Sequence, residues 1–236
     1  MMAVAQAPAP RHWMVTGTDT GVGKTLVTAG LLAALVERGQ RAVGMKPVAA
    51  GARWLGGAWR NDDVEMLARA GNVDVPVPMR CPYLLPDPIA PHIAAERAGV
   101  QIRLEPLLLA YAQLCTQADT VVVEGVGGFC VPLSPGFGTA DLARALGLPV
   151  ILVVGLRLGC LNHAALSAEA IRARGLHLAA WVANAIDPQM AEVQRNLETL
   201  QQIIAAPRLG RIPWLEQAEP ALAARWLDPD VLAPRP

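Results

Sequence analysis

The chain has 236 residues, 53% hydrophobic and 4% aromatic, with 20 basic and 20 acidic side chains. That is enough aliphatic material for one α/β domain that needs no disulfide or metal staple. A formal charge of zero gives no support for nucleic-acid binding, which usually needs a basic excess, and four scattered cysteines without a Cys-x-x-Cys pair argue against a zinc site or disulfide framework.

Residues 1–11 are rich in alanine and proline and lack a basic start or a long apolar run, so they read as a flexible leader before a single domain over residues 12–236. The first strand is expected over Trp13 to Thr16. The helix after it, Lys24 to Arg38, is apolar almost all round (Leu26, Val27, Leu31, Leu32, Leu35, Val36), which implies burial against a sheet and a stop at Gly39. A second strand covers Ala42 to Lys46. Residues 47–61 and the proline-rich residues 73–91 show no periodicity and read as long, functional loops. The β-branched runs Thr120 to Val123 and Val150 to Val154 have the character of buried parallel strands. A helix over Asn162 to Arg174, a strand over Leu178 to Ala183 and a helix over Met190 to Ala205 continue the alternation. A short strand and one weak helix follow Leu209. The pattern predicts an α/β fold of the P-loop NTPase type, a mostly parallel sheet with helices on both faces. No apolar run is long enough to span a bilayer, and the thiols suit a reducing compartment, so the expected location is the cytoplasm, without membrane or nucleic-acid partners.

Between the first strand and helix lies Gly17-Thr-Asp-Thr-Gly-Val-Gly-Lys-Thr25. A glycine-rich strand-to-helix turn aims backbone N–H groups at one point, the helix dipole adds positive potential, and a lysine reaches the terminal phosphates. Gly23-Lys24-Thr25 in that context is a phosphate loop, although Thr18 stands where the general pattern has its first glycine and that glycine comes one residue earlier. The loop predicts binding of a nucleoside triphosphate, with the Thr25 hydroxyl toward Mg²⁺.

Lysine is used twice in the whole chain, at Lys24 and Lys46, against eighteen arginines. Where the protein needs only positive charge it uses arginine, so both lysines mark places that call for a compact ammonium on a flexible stem. Lys46 lies in Gly44-Met-Lys-Pro-Val-Ala-Ala-Gly51, after the second apolar run.

These blocks, with Arg60-Asn-Asp-Asp63, Val123-Glu-Gly-Val-Gly-Gly128, Gly159-Cys-Leu-Asn-His163, Trp181-Val-Ala-Asn184 and Ile212-Pro-Trp-Leu215, resemble in order the dethiobiotin synthetase family from about Trp13 to Leu215. The resemblance implies an ATP-dependent ligase that converts 7,8-diaminopelargonate (7,8-diaminononanoate) and CO₂ to dethiobiotin through a carbamate and a carbamic-phosphoric anhydride. It implies a homodimer whose interface receives the substrate carboxylate at Gly159, Cys160 and Asn162, with Ala50 also on the substrate side. Lys46, Lys24 and Thr20 are the implied catalytic residues. Thr18, Asp19, Gly21, Val22, Gly23, Lys24 and Thr25 form the implied nucleotide loop, joined by Glu124, Gly125, Gly127 and Gly128. Asn184 would read the adenine, with Pro213, Trp214 and Leu215 lining the base pocket, and Pro91-His92 resembles part of the substrate-side loop. Thr25, Asp63 and Glu124 are the implied Mg²⁺ ligands.

From the residues alone, the Asp62-Asp63 pair equally suits a helix cap; Asp63 is assigned to the metal and Asp62 to the cap. Asn162 with His163 equally suits a plain cap of the helix it begins. The alternative function is a dimeric nucleotide switch of the partitioning type, but many of those ATPases carry a signature lysine where this chain has Asp19.

Overall fold

The computed structural model describes residues 12–233; the expected leader, residues 1–11, lies outside the described residues. Six parallel strands form the central sheet: β1 (Trp13–Gly17), β2 (Ala42–Met45), β3 (Thr120–Gly128), β4 (Val150–Leu156), β5 (Leu178–Ala185) and β6 (Arg208–Ile212). Their order across the sheet is β6-β5-β4-β1-β3-β2. Main helices are α1 (Lys24–Glu37), α2 (Asp62–Ala70), α3 (Leu104–Cys115), α4 (Thr139–Leu146), α5 (Cys160–Ala173), α6 (Val193–Ile204) and α7 (Pro220–Ala224).

The sheet is buried on both faces because successive side chains of a strand point to opposite sides. Along β4, Val150, Leu152 and Val154 join a core with α3, α4, α5 and α6, while Ile151 and Val153 join the opposite core with α1, α2 and α7. This explains the nearly unbroken apolar runs of the strands. Helix α1 is apolar all round for a related reason. One side meets the sheet and another meets α7, so close that a Cβ on Gly30 would stand 2.9 Å from the Ala223 methyl. Fully burying side chains such as Leu31 and Leu32 stabilises the domain by roughly 1.5–3 kcal/mol each. The helix ends at Glu37, and Gly39 takes a left-handed turn at φ 78°, where a stop was expected.

Residues 47–61 and 73–91 are more ordered than their composition suggests. Val48–Ala50 pairs in parallel with Tyr83–Leu85, and Arg53–Leu55 forms an antiparallel hairpin with Ala58–Arg60. Gly56 and Gly57, both at positive φ, make the two-residue turn that matches the twist of a hairpin. Trp54 and Trp59 stack edge to face across it, so they pack on each other at the surface. Helices α3 and α4 have no counterpart in the sequence reading. A separate small core, including Val48, Leu85, Ala94, Ile102, Leu107 and Leu142, sits beyond the main sheet. Among the described residues no helix is long and apolar enough to cross a membrane.

Candidate active site

Three neighbouring strands deliver the site at their C-terminal ends, where open α/β sheets bind ligands. β1 runs into the phosphate loop, β2 ends one residue before Lys46, and β3 carries Glu124. The register sets Met45 beside Val123 and Val15 beside Glu124, so Lys46 and Glu124 are lateral neighbours. β3 continues past the expected end at Val123 to Gly128, which pairs with Gly17 of β1. Gly125, Gly127 and Gly128 are therefore strand residues alongside the loop, with Gly127 at φ 62°.

Above these strand ends lies a cleft of about 710 Å³. Thr20, Gly21, Gly23, Lys24 and Thr25 line it from the loop, Lys46 and Ala50 from the second strand onward, and Asp63 and Glu124 complete the polar floor. Pro88, Ile89, Ala90 and Pro91 form an opposite wall with Val126 and Val131. Pro91 meets the expectation of a substrate-side loop at Pro91-His92, whereas for Pro88, Ile89 and Ala90 the only signal is the density of prolines in residues 86–91.

The loop is held from several sides. The Thr18 N–H donates to the Val153 carbonyl at 2.9 Å, and the Thr20 N–H donates to Asp19 Oδ1 at 2.7 Å. Arg157, on the turn after β4, pairs with Asp19 Oδ2 at 2.5 Å. Asn184 Nδ2 donates to the Val22 carbonyl at 2.9 Å. A Cβ on Gly23 would stand 2.1 Å from that same Nδ2, and Gly23 sits at φ 86°, so glycine is required there on two counts.

At the floor, Lys46 Nζ lies 2.5 Å from Glu124 Oε1 and 3.1 Å from Asp63 Oδ2, and donates to the Gly125 carbonyl at 3.3 Å. Thr25 Oγ1 donates to Glu124 Oε1 at 2.8 Å. Lys46 is 3% exposed. Burial works to lower its pKa, but the adjoining Glu124 and Asp63 carboxylates prevail and raise it above the ordinary lysine value. Burial acts on Asp63 in the opposite sense, and the Lys46 ammonium prevails to hold its carboxyl below the usual range. Lys24 donates to the Asp19 carbonyl at 2.9 Å. Its burial, and next the nearby Lys46 charge, bring its pKa down to about 8.

The donor set suits Mg²⁺, a hard cation that takes one or two carboxylates and keeps other positions for phosphate and water. Thr25, Asp63 and Glu124 offer one hydroxyl and two carboxylates. Glu124 Oε2 is buried without a hydrogen-bond partner among the described residues, as an oxygen reserved for a cation would be.

One capping assignment is corrected and one capping alternative is excluded. Asn61, not Asp62, caps α2: its side chain accepts from the Asp63 and Val64 N–H groups, while Asp62 turns outward to Arg53. Asn162 does not cap α5 either, since Gly159 occupies the N-cap position without any side-chain cap bond. Gly159 and Asn162 are exposed outside the cleft lining, and Cys160 is buried in the core. Pro213, Trp214 and Leu215 follow β6, whose Ile212 pairs with Asn184; none of the three lines the cleft. His92 lies on the short helix Pro91–Arg97, its Nδ1 buried without a partner among the described residues.

A family described as an AAA domain matches residues 11–221. The ATP-dependent dethiobiotin synthetase BioD of Ralstonia nicotianae is 58% identical over 216 residues, covering 91% of this chain and 93% of its own length. The protein of the same description from Aromatoleum aromaticum is 54% identical and covers 91% and 96%. Among solved structures, the MinC:MinD cell division complex of Aquifex aeolicus aligns with a TM-score of 0.57 at 16% identity, over 91% of this chain and 94% of the other. A ParA family ATPase from Chlorobium tepidum aligns with a TM-score of 0.56 at 15% identity, over 95% and 92%. At such identities the structural likeness speaks for the fold alone.

Proposed function

The chain belongs to the ATP-dependent dethiobiotin synthetases, and from that membership we propose how its cleft closes the ureido ring of dethiobiotin from 7,8-diaminopelargonate (7,8-diaminononanoate), CO₂ and ATP. The observation that carries the reading is the cluster of buried Lys46 and Glu124 with half-exposed Asp63 on the floor of a phosphate-loop cleft.

One substrate amine, in its neutral form, attacks CO₂; an N–C bond forms, a proton leaves, and a carbamate results. A carbamate oxygen takes the γ-phosphoryl group of ATP, releasing ADP and leaving a carbamic-phosphoric anhydride. The second amine attacks the same carbon, phosphate departs, and the ring closes. No side chain carries a covalent intermediate, so catalysis rests on positioning and charge stabilisation. The loop amides and Lys24 hold the phosphates, Lys46 faces the carbamate and the transferring group, and Thr20 faces the amines. Thr25, Asp63 and Glu124 would hold Mg²⁺, which when bound neutralises phosphate charge. Asn184 would meet the adenine beside Pro213, Trp214 and Leu215.

Because Gly159, Cys160 and Asn162 stand outside the single chain's cleft, their role in receiving the substrate carboxylate belongs to a homodimer, with one protomer completing the site of its partner. The setting is the cytoplasm. A partitioning-type switch is disfavoured: the position of its signature lysine holds Asp19, engaged with Arg157 and the Thr20 N–H.

The test combines purified protein, MgATP, bicarbonate and the diamine, with mass spectrometry for the ureido product and ADP measured in parallel. Product matched by ADP is expected. ADP release indifferent to the diamine, with no ureido product, sinks the reading in favour of a switch ATPase or another acceptor.

A further inference from the structure

Resting on the metal assignment above, we propose that Lys46 is the resident cation of the Glu124–Asp63 pair in the nucleotide-free protein, and that a divalent cation arriving with the nucleotide displaces it toward the substrate. An ammonium has three donors. In this structure they face Glu124 Oε1 at 2.5 Å, Asp63 Oδ2 at 3.1 Å and the Gly125 carbonyl at 3.3 Å. No donor is left for a carbamate or a phosphoryl oxygen. The geometry seen here is therefore a storage state, and Lys46 must exchange partners before it can act.

The partners it must leave are two of the three groups assigned to the metal. Glu124 lies on β3 and Asp63 on α2, and the ammonium lies between their carboxylates; the third group, Thr25, is already bonded to Glu124 Oε1. At contact distance two carboxylates face one ammonium; the Lys24 charge reaches them only from farther off, so their oxygens still favour a cation. A divalent ion at the same oxygens supplies twice the charge of Lys46, makes the ammonium redundant, and can use Glu124 Oε2, which Lys46 leaves without a partner. Lys46 and the metal are thus competitors for one carboxylate pair. The competition ties the availability of Lys46 to the presence of metal with nucleotide, so that the reactive ammonium is released only when there is a phosphoryl group to transfer. Lys24 shows the same habit on a smaller scale, its ammonium resting on the Asp19 carbonyl of its own loop.

With only two lysines in the chain, the exchange can be followed directly. Full-length protein labelled with ¹⁵Nζ-lysine gives two side-chain ammonium signals, assigned by Lys24→Met. The Lys46 signal should move when Mg²⁺ and a non-hydrolysable ATP analogue are added together, and stay in place when the analogue is added with a chelator. A Lys46 signal indifferent to metal, or one moved equally by the analogue alone, overturns the proposal. Mn²⁺ binding to nucleotide-free protein, read by electron paramagnetic resonance, provides a second arm. Lys46→Met should bind Mn²⁺ at least about tenfold more tightly than the parent, and Lys46→Arg should not, because a cation is retained. Unchanged or weaker Mn²⁺ binding by a folded Lys46→Met protein also overturns it. Adding Glu124→Gln to Lys46→Met separates the two levels: loss of the gain supports the competition, while Mn²⁺ binding that survives Glu124→Gln shows instead that the metal assignment itself is wrong.

Discussion

The phosphate-loop floor and the turn after β4 were both expected to hold substrate, yet they are built in opposite ways. Around Lys46 opposite charges meet within one chain: strand register delivers Glu124, α2 delivers Asp63, and the buried ammonium joins them. At residues 157–162 the one charge, Arg157, pairs with Asp19 of the phosphate loop, and the residues after it are left open. Leu158 is 96% exposed, Gly159 and Asn162 are exposed, and no side chain caps the helix that begins there. A charged centre buried in low dielectric must be paired before ligand arrives, because an unpaired charge there is costly. An exposed turn with free helix N–H groups carries no such penalty and can wait for a carboxylate from elsewhere.

Substitutions at each region can break this contrast. Lys46→Ala has the largest expected effect: kcat/KM should fall by about 10³-fold or more, and unfolding should become easier by roughly 3–5 kcal/mol as the carboxylates lose their partner. Steady-state kinetics with denaturant melts would show it, and near-normal turnover would mean that the buried cluster is only structural. Gly23→Ala comes next, since its methyl collides with Asn184 and its φ of 86° is strained for alanine. ATP affinity measured by calorimetry should drop on the order of 10²-fold.

Leu158→Asp probes the exposed turn. The KM for the diamine should rise about tenfold or more, with the KM for ATP nearly unchanged and the mass in solution shifting from dimer toward monomer. If mass and both KM values stay put, the two-copy site is wrong. The smallest effect is expected far from the chemistry. His12 Nδ1 accepts the Val121 N–H at 3.0 Å, and burial holds its pKa below the ordinary 6.5. The unfolded chain therefore takes up this proton more readily than the folded one. The stabilisation is complete above pH 6.5 and is lost as pH falls through the lower folded-state value. His12→Gln should flatten that acid-side loss by about 1 kcal/mol or less, read as the difference in melting temperature between variant and parent across that window.

The phosphate loop and the alternating α/β pattern were legible in the chain because each has a local cause, and Lys46 stood out because lysine occurs only twice. Glycine spacing and unbroken β-branched runs act over fewer than about ten residues, whereas the scarcity of lysine is a property of the whole chain. Helices α3 and α4 have no counterpart in the sequence pattern as read, and residues 47–61 and 73–91 read as loops. Their order comes from a pairing between Val48–Ala50 and Tyr83–Leu85 that is distant in sequence, and from a hairpin whose turn, Gly56-Gly57, lies within a stretch that reads as a functional loop. The caps at Asn61 and Gly159 were missed for a similar reason: neighbouring Asp62 and Asn162 carry equally good capping chemistry, and only backbone geometry chooses between candidates one to three residues apart.

By itself, the sequence determined which groups this protein carries: a phosphate loop, two scarce ammonium groups and the carboxylates of Asp63 and Glu124. The tertiary structure alone decided who meets whom. Parallel register placed Lys46 against Glu124 across two strands separated by more than seventy residues, and the packing of α2 brought Asp63 to the same ammonium. Those contacts arise from the sheet's hydrogen-bond ladder and the burial of its two faces, forces summed over the whole domain, and no local stretch of sequence contains them.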